Sequence, residues 1–327
     1  MFFPLGAVQQ GRTSEMQDFV DTMRETLAAL GMTEELSFSF TSEKTLDKLG
    51  VPSDSPLRQA IPIMNPLTDE YPLIRTTLLT SVLENAARNA ARKNMDLRLF
   101  DIAPVFFPKA LPVTELADEK MKVVGLITGR RSPIAWDTNN EMVDFYDMKG
   151  IVERFLTAID VQKYTVERGE HFALHPGKTA FFKKGRDVIA VVGEVHPTIA
   201  ANFGIPQNVY IFEMDAESLL RYRKKKTSVT QLPKYPASTR DLAILVDADI
   251  TTAEIERVIA KKGGKFFRGA TLFDVYMGKQ VTEGKKSMAF HLHFQSDDKT
   301  LTDEEVDAAF ADILRAAEEQ LHAELRG

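Results

Sequence analysis

Apolar residues at Met16, Phe19, Val20, Met23, Leu27 and Leu30 recur at helical spacing and predict an amphipathic helix. Ser14, with Gln17 three residues on, supplies a capping box at its start, and Gly31 supplies the stop. Leu36, Phe38 and Phe40 then alternate with polar residues, the pattern of a half-buried strand. A Pro- and Ser-rich loop over about 51–66 leads to a second helix at about 77–93, with Leu79, Val82, Leu83 and Ala86 inward. Strands are predicted at Leu97–Ile102, Val105–Phe107 and Val123–Thr128. A third helix, Phe145–Ile159, turns Met148, Val152, Phe155 and Leu156 to a core. Strands near Ala180–Phe182, Val188–Val195 and Val209–Met214 follow, with a short helix between the last two. Helices and strands mix without regular βαβ alternation, which predicts an antiparallel sheet flanked by helices.

From Thr239 the pattern changes. A strand at Arg240–Val246, a helix at Thr252–Lys262 and strands at Ala270–Tyr276 and Lys285–Gln295 precede a helix capped by Thr302 and Glu305. A terminal strand at Ala323–Arg326 completes the order βαββαβ, a ferredoxin-like arrangement. The fold class is therefore α+β, with a larger domain at 1–226, a smaller one at 227–327 and a linker at about 221–236. Within that linker, Arg221 and Arg223–Lys226 form a basic run. It is either a solvated helix end or a strip that touches phosphates.

Composition narrows the chemistry. The 327 residues include 41 Lys and Arg against 47 Asp and Glu, a formal charge of −6, which argues against a surface coated for counterion release. With no cysteine there is no thiolate metal site and no cysteine nucleophile. No apolar run reaches the roughly 20 residues of a membrane span. The start lacks a signal-peptide pattern, and a soluble cytoplasmic chain is expected. Phosphate-cradling glycine loops and nucleophile elbows are absent. His171 and His175 are four apart but lie in a loop or strand pattern, and His196 precedes Pro197, so hydrogen-bonded histidines are expected rather than a metal site. The acidic clusters Asp297–Asp298, Asp303–Glu305 and Glu318–Glu319 read as solvated surface.

Strand alternation in the smaller domain buries Leu242, Ile244, Val246, Phe273, Val275, Met288, Phe290, Leu292 and Phe294. It leaves Tyr276, His291 and His293 on the other face, with Lys279, Lys285 and Lys286 at the rim. Flat rings beside cations suit single-stranded RNA bases, and they equally suit packing on another domain or subunit.

Arg240–Ala243, Leu272–Tyr276, Gly284–Ser287 and Thr300–Val306 closely resemble, in order and spacing, the ferredoxin-like anticodon-binding domain of the bacterial phenylalanyl-tRNA synthetase β chain. Asn65–Leu67, Leu73–Leu79, Arg98–Ile102, Asp144–Gly150, His175–Gly177 and Gly193–Pro197 resemble the same family's catalytic-like domain. The resemblance implies a class II synthetase-type antiparallel sheet, in which 14–40 stands where motif 1 builds a subunit interface. It also implies a catalytic α chain as partner in an (αβ)2 assembly and tRNA(Phe) as ligand. The expected tRNA-contacting residues are Arg240, Tyr276, Lys279, Lys285, Lys286, His291 and His293. Phe107 stands where an active chain has the motif 2 arginine, and Glu213, Asp215 and Ser218 replace the two glycines and the arginine of motif 3. No cofactor is therefore expected in this chain. ATP and magnesium belong to the holoenzyme, and the chain alone is expected to be inactive. His291 and Lys299 stand where many members have arginine. The family's tRNA-binding and editing domains are expected to lie before Met1, leaving this sequence as roughly the C-terminal two-fifths. The alternative is a stand-alone truncated paralogue acting as an RNA-binding or regulatory module. An independent enzyme using His175, His196 or an acidic cluster is the remaining possibility.

Overall fold

A computed structural model describes residues 11–224, 232–278 and 281–325. The chain divides into two compact units, Met1–Thr227 and Ser228–Gly327. In the first, α1 (Glu15–Ala29) begins at the Ser14/Gln17 capping box, with both reciprocal bonds formed, and buries Phe19, Met23 and Leu27. Two short strands, β1 (Thr33–Glu34) and β2 (Phe40–Thr41), α2 (Glu43–Lys48) and β3 (Leu73–Ile74) lead to α3 (Leu79–Ala91). Then come β4 (Leu97–Phe107), β5 (Asp118–Thr128), α4 (Phe145–Ala158), β6 (Thr165–Arg168), β7 (Leu174–Lys184), β8 (Asp187–Val195), α5 (Pro197–Phe203), β9 (Val209–Asp215) and α6 (Ala216–Tyr222).

Seven strands form one sheet in the order β1-β4-β5-β9-β8-β7-β6, antiparallel except for the β1–β4 pair. Alternation along the strands feeds two cores. Phe100, Ile102, Val123, Phe182, Val192 and Phe212 pack with α1, α4 and α6 on one face. Leu97, Leu99, Val124, Leu126 and Ile211 pack with α2, α3 and α5 on the other. Each fully buried Leu or Phe contributes about 1.5–3 kcal/mol.

Two expectations change here. Pro104 does not divide β4 in two. Its carbonyl accepts from Arg75 Nε at 3.0 Å, and the neighbouring Phe106 N–H donates to Arg75 O at 3.1 Å. Both groups face away from β5, along an edge where β1 pairs only with Leu99 and Phe100, so the missing proline N–H costs the sheet nothing. The alternating segment Leu36–Phe40 is not a half-buried strand either. Leu36 is 93% exposed and Phe38 82% exposed.

The reversal has an internal cause. Arg75, only 1% exposed, is the largest of the fully buried side chains. Its Nη1 donates to Ser37 Oγ at 2.7 Å and to the Phe38 carbonyl at 3.3 Å, while its backbone N–H donates to Ser39 O at 3.0 Å. Ser37 in turn donates to the buried Asp101 carboxylate, which lies 3.9 Å from Arg75 Nη1. The polar backbone and Ser37 therefore point inward, and the apolar side chains on either side of Ser37 are turned out.

Glu35 lies beside this network, bonded to the Asn85 amide, with Oε1 lacking a hydrogen-bond partner. Burial, reinforced by Asp101 and opposed by Asn85, Arg88 and Arg75, raises its carboxyl from 4.5 to about 7.

The second unit contains β10 (Ser238–Asp247), α7 (Thr252–Lys262), β11 (Phe267–Tyr276), β12 (Lys285–Phe294), α8 (Asp303–Leu321) and β13 (Glu324–Leu325). Its antiparallel sheet has the order β11-β12-β10-β13, and α7 and α8 cover one face. Among the described residues, no helix is long and apolar enough to cross a membrane.

The raised Glu35 carboxyl carries a sign. Between about pH 4.5 and 7 the folded chain keeps a proton that the unfolded chain releases, so this group makes stability fall as pH rises through that window. The span corresponds to roughly 3 kcal/mol. Urea unfolding at pH 5 and pH 8 is expected to give a stability loss smaller by about that amount in Glu35→Gln than in the parent chain. An identical loss in both would contradict the assignment.

Candidate functional site

The outward loop is the first candidate surface. Phe38 lines a groove with Phe40, Ile63, Pro66, Leu67 and Tyr71, and Leu36 lines a neighbouring recess that shares Phe38, Phe40 and Tyr71, with Met64 and Leu67 more than nine-tenths exposed. Large apolar side chains presented this way from a fixed backbone make it a candidate interaction surface.

The second is 213–218, the stretch that resembles class II motif 3. Glu213 lies in register between Val124 of β5 and Val191 of β8. Burial raises its carboxyl, with Lys122 opposing and Asp215 adding to the shift. Asp215 caps α6 through the Ser218 N–H at 2.7 Å and faces Lys122 Nζ at 3.3 Å. Burial works against its ionisation, but Ser218 and Lys122 together hold it below the usual carboxylate range. Phe107 lies under Lys120, whose Nζ is 5.3 Å from the ring centre. Glu213 and Asp215, the latter paired with Lys122, thus stand with Ser218 where the resemblance puts the two glycines and the arginine of motif 3.

The histidines of the larger unit do other work. His175 Nδ1 accepts from the Gly177 N–H at 3.0 Å, and His196 Nδ1 accepts from the Thr198 N–H at 3.3 Å. With those lone pairs used, each neutral ring carries its proton on Nε2. Partial burial pushes the half-buried His171 down to about 4. Among the described residues, no group of three or more His, Asp or Glu could hold a metal ion. In the basic run, Arg221 faces Asp187 at 3.5 Å and Arg223 lies over Phe19 at 5.3 Å. Lys225 and Lys226 lie outside the described residues.

The third surface is the face of the smaller sheet turned away from α7 and α8. His291 and His293 of β12 lie on it, opposite Asp241 and Thr239 of β10. Tyr276 lies opposite Ser287, and its hydroxyl passes so close to Gly278 that a Cβ there would stand 2.2 Å from it. Phe273, expected in the core, is on this outer face instead. A β-bulge between Leu272 and Asp274 puts two residues of β11 opposite Ala289, and Phe273 is the extra one. It is 50% exposed, and its ring lies on His291, with centroids 4.0 Å apart and planes at 14°. His291 Nδ1 lies 2.6 Å from Asp241 Oδ1. Val275, likewise expected to be buried, aligns with the core residue Met288 but is 46% exposed on the edge strand. The bulge was signalled by a phase change, since Ala270 and Leu272 keep one parity and Phe273 and Val275 the other.

The expected cations are not all gathered here. Arg240 points to the helix side, where Nε and Nη2 meet Asp307 and Asp303, each at 2.9 Å, and both hydrogen bonds raise its pKa. Lys285 pairs with Glu324, which raises its pKa in turn. Lys286 Nζ donates to Ala248 O at 3.1 Å. Lys279 lies outside the described residues.

Comparison with known proteins adds to this geometry. Residues 1–216 match the family model described as "Phenylalanyl tRNA synthetase beta chain CLM domain", and residues 233–326 match the "Ferredoxin-fold anticodon binding domain". The "Phenylalanine--tRNA ligase beta subunit" of Syntrophotalea carbinolica is 40% identical over 309 residues, covering 94% of this chain and 38% of that protein. The protein of the same name from Clostridium acetobutylicum is 38% identical over 314 residues, covering 96% of this chain and 38% of its own length. The chain thus spans about two-fifths of the curated relatives it matches.

Proposed function

The chain belongs to the phenylalanyl-tRNA synthetase beta chain family, and on that premise we propose that it is a non-catalytic part of a phenylalanine–tRNA ligase. The larger unit docks a catalytic α chain through the Leu36–Phe38 loop and its groove, within an (αβ)2 assembly. The smaller unit contacts the anticodon region of tRNA(Phe) with the outer face of its sheet. Phenylalanylation and the use of ATP and magnesium belong to the holoenzyme. In this chain, Glu213, Asp215 and an already paired Lys122 do not fit a triphosphate, since they offer anions where phosphates need cations. The observation that carries the docking assignment is the outward projection of Leu36 and Phe38 from a backbone held by buried Arg75.

The purified chain is expected to show no phenylalanine-dependent ATP–pyrophosphate exchange, and exchange by the chain alone would contradict this function. Co-expressed with the family's α chain, it is expected to co-purify. Phe38→Asp is expected to weaken association at least tenfold while shifting stability by no more than about 0.5 kcal/mol, because the side chain is exposed. Co-purification unaffected by Phe38→Asp would place the α chain on another surface.

For the smaller unit, binding of a tRNA(Phe) anticodon stem-loop is the direct assay. Tyr276→Ala and His293→Ala are each expected to weaken it by roughly 1–3 kcal/mol if their rings meet bases. Unchanged binding in both would assign these rings to packing.

A further inference from the structure

The outer face of the smaller sheet is built to hold one ring flat. Register places Asp241 opposite His291, and the bulge in β11 swings Phe273 over the imidazole. The three side chains form a layered unit: the carboxylate holds the imidazole edge at 2.6 Å, and the imidazole supports the phenyl ring at 4.0 Å. His291 therefore has one π-face covered by Phe273. Half of Phe273 remains exposed although one of its faces is occupied, so the accessible area lies on its far face and edges. An exposed phenyl ring fixed in this way has already given up most of its rotamer freedom, so a second flat ring can stack on it with little further ordering.

The surrounding charge decides what kind of ring. Asp241 and Asp274 lie on this face, while Arg240 and Lys285 are held by carboxylates. After Leu232 the sequence has 13 Lys and Arg against 17 Asp and Glu. Among the described residues this face offers aromatic and acidic groups, with Arg240, Lys285 and Lys286 engaged, which suits the π-face and donor edge of a base better than a phosphate chain.

We infer that Phe273, braced from beneath by His291 and Asp241, is a stacking platform for one unpaired nucleobase of the RNA loop this domain binds. This rests on the anticodon-region assignment above and deepens it. Phe273 is the residue that meets the base, and His291 is a positioning residue. Binding here draws on stacking more than on counterion release, so its salt dependence is shallow.

The test uses the full chain and a tRNA(Phe) anticodon stem-loop carrying 2-aminopurine at each anticodon position in turn. The parent chain is expected to bind and to change the 2-aminopurine emission at one position. Phe273→Ala is expected to lose at least about fivefold in affinity together with that emission change, whereas Phe273→Trp, which keeps a stacking ring, retains both. His291→Ala is expected to reduce the emission change, and His291→Phe, which keeps a flat ring beneath, to retain it. Binding and emission unchanged in Phe273→Ala would overturn the platform and leave the anticodon-region assignment standing, as would a steep salt dependence unaltered by that substitution. Failure of the parent chain to bind the stem-loop would overturn both.

Discussion

The guanidinium of Arg75 is the constraint on which the surface of the larger unit depends. An arginine taken out of water is costly unless its N–H groups find acceptors, and the acceptors here are the Pro104 carbonyl, the Phe38 carbonyl and Ser37 Oγ, with Asp101 behind the serine. Satisfying that one cation fixes the path of the chain from Glu35 to Ser39 against the edge of β4. With backbone and Ser37 committed inward, Leu36 and Phe38 have only the outside left to them. The apolar surface thus follows from the polar interior. Truncating Arg75 alone would leave the buried Asp101, bonded by Ser37, without its counter-charge, so this network is far less tolerant of change than the exposed residues it positions.

In the smaller unit, ion pairs decide which cations remain for a ligand. Arg240 fastens β10 to the first turns of α8 through Asp303 and Asp307, and Lys285 fastens β12 to β13 through Glu324. These contacts are structural, although in sequence they look like a basic rim. Among the described residues, what is left on the outer face is a set of rings with acids beside them. A domain of net negative charge can still meet RNA if stacking replaces phosphate contact as the main contribution.

Much of this was legible in the sequence because local chemistry and packing agree. The Ser14/Gln17 and Thr302/Glu305 boxes mark helix starts that the structure realises with both bonds of each box formed. The βαββαβ order follows from period changes between strands and helices, and β10, β11 and β12 lie where alternation put them. Alternation reports two faces without saying which is solvated, which is why Leu36 and Phe38 read as buried. The answer lay in Arg75, whose acceptors come from distant segments. Phe273 was misplaced for a different reason, since one extra residue in β11 reverses the face of everything counted across it. The two halves of β4 were joined by an edge position that made Pro104 harmless, again a matter of neighbours in space.

The central claim is that the outer face of the smaller sheet meets the anticodon region of tRNA(Phe). Photocrosslinking a 4-thiouridine-substituted anticodon stem-loop to the full chain, followed by mapping of the crosslinked peptides, tests it most directly. Crosslinks are expected in β11 and β12, centred on 271–276 and 287–293. Crosslinks confined to α7 and α8, or to the larger unit, would contradict it.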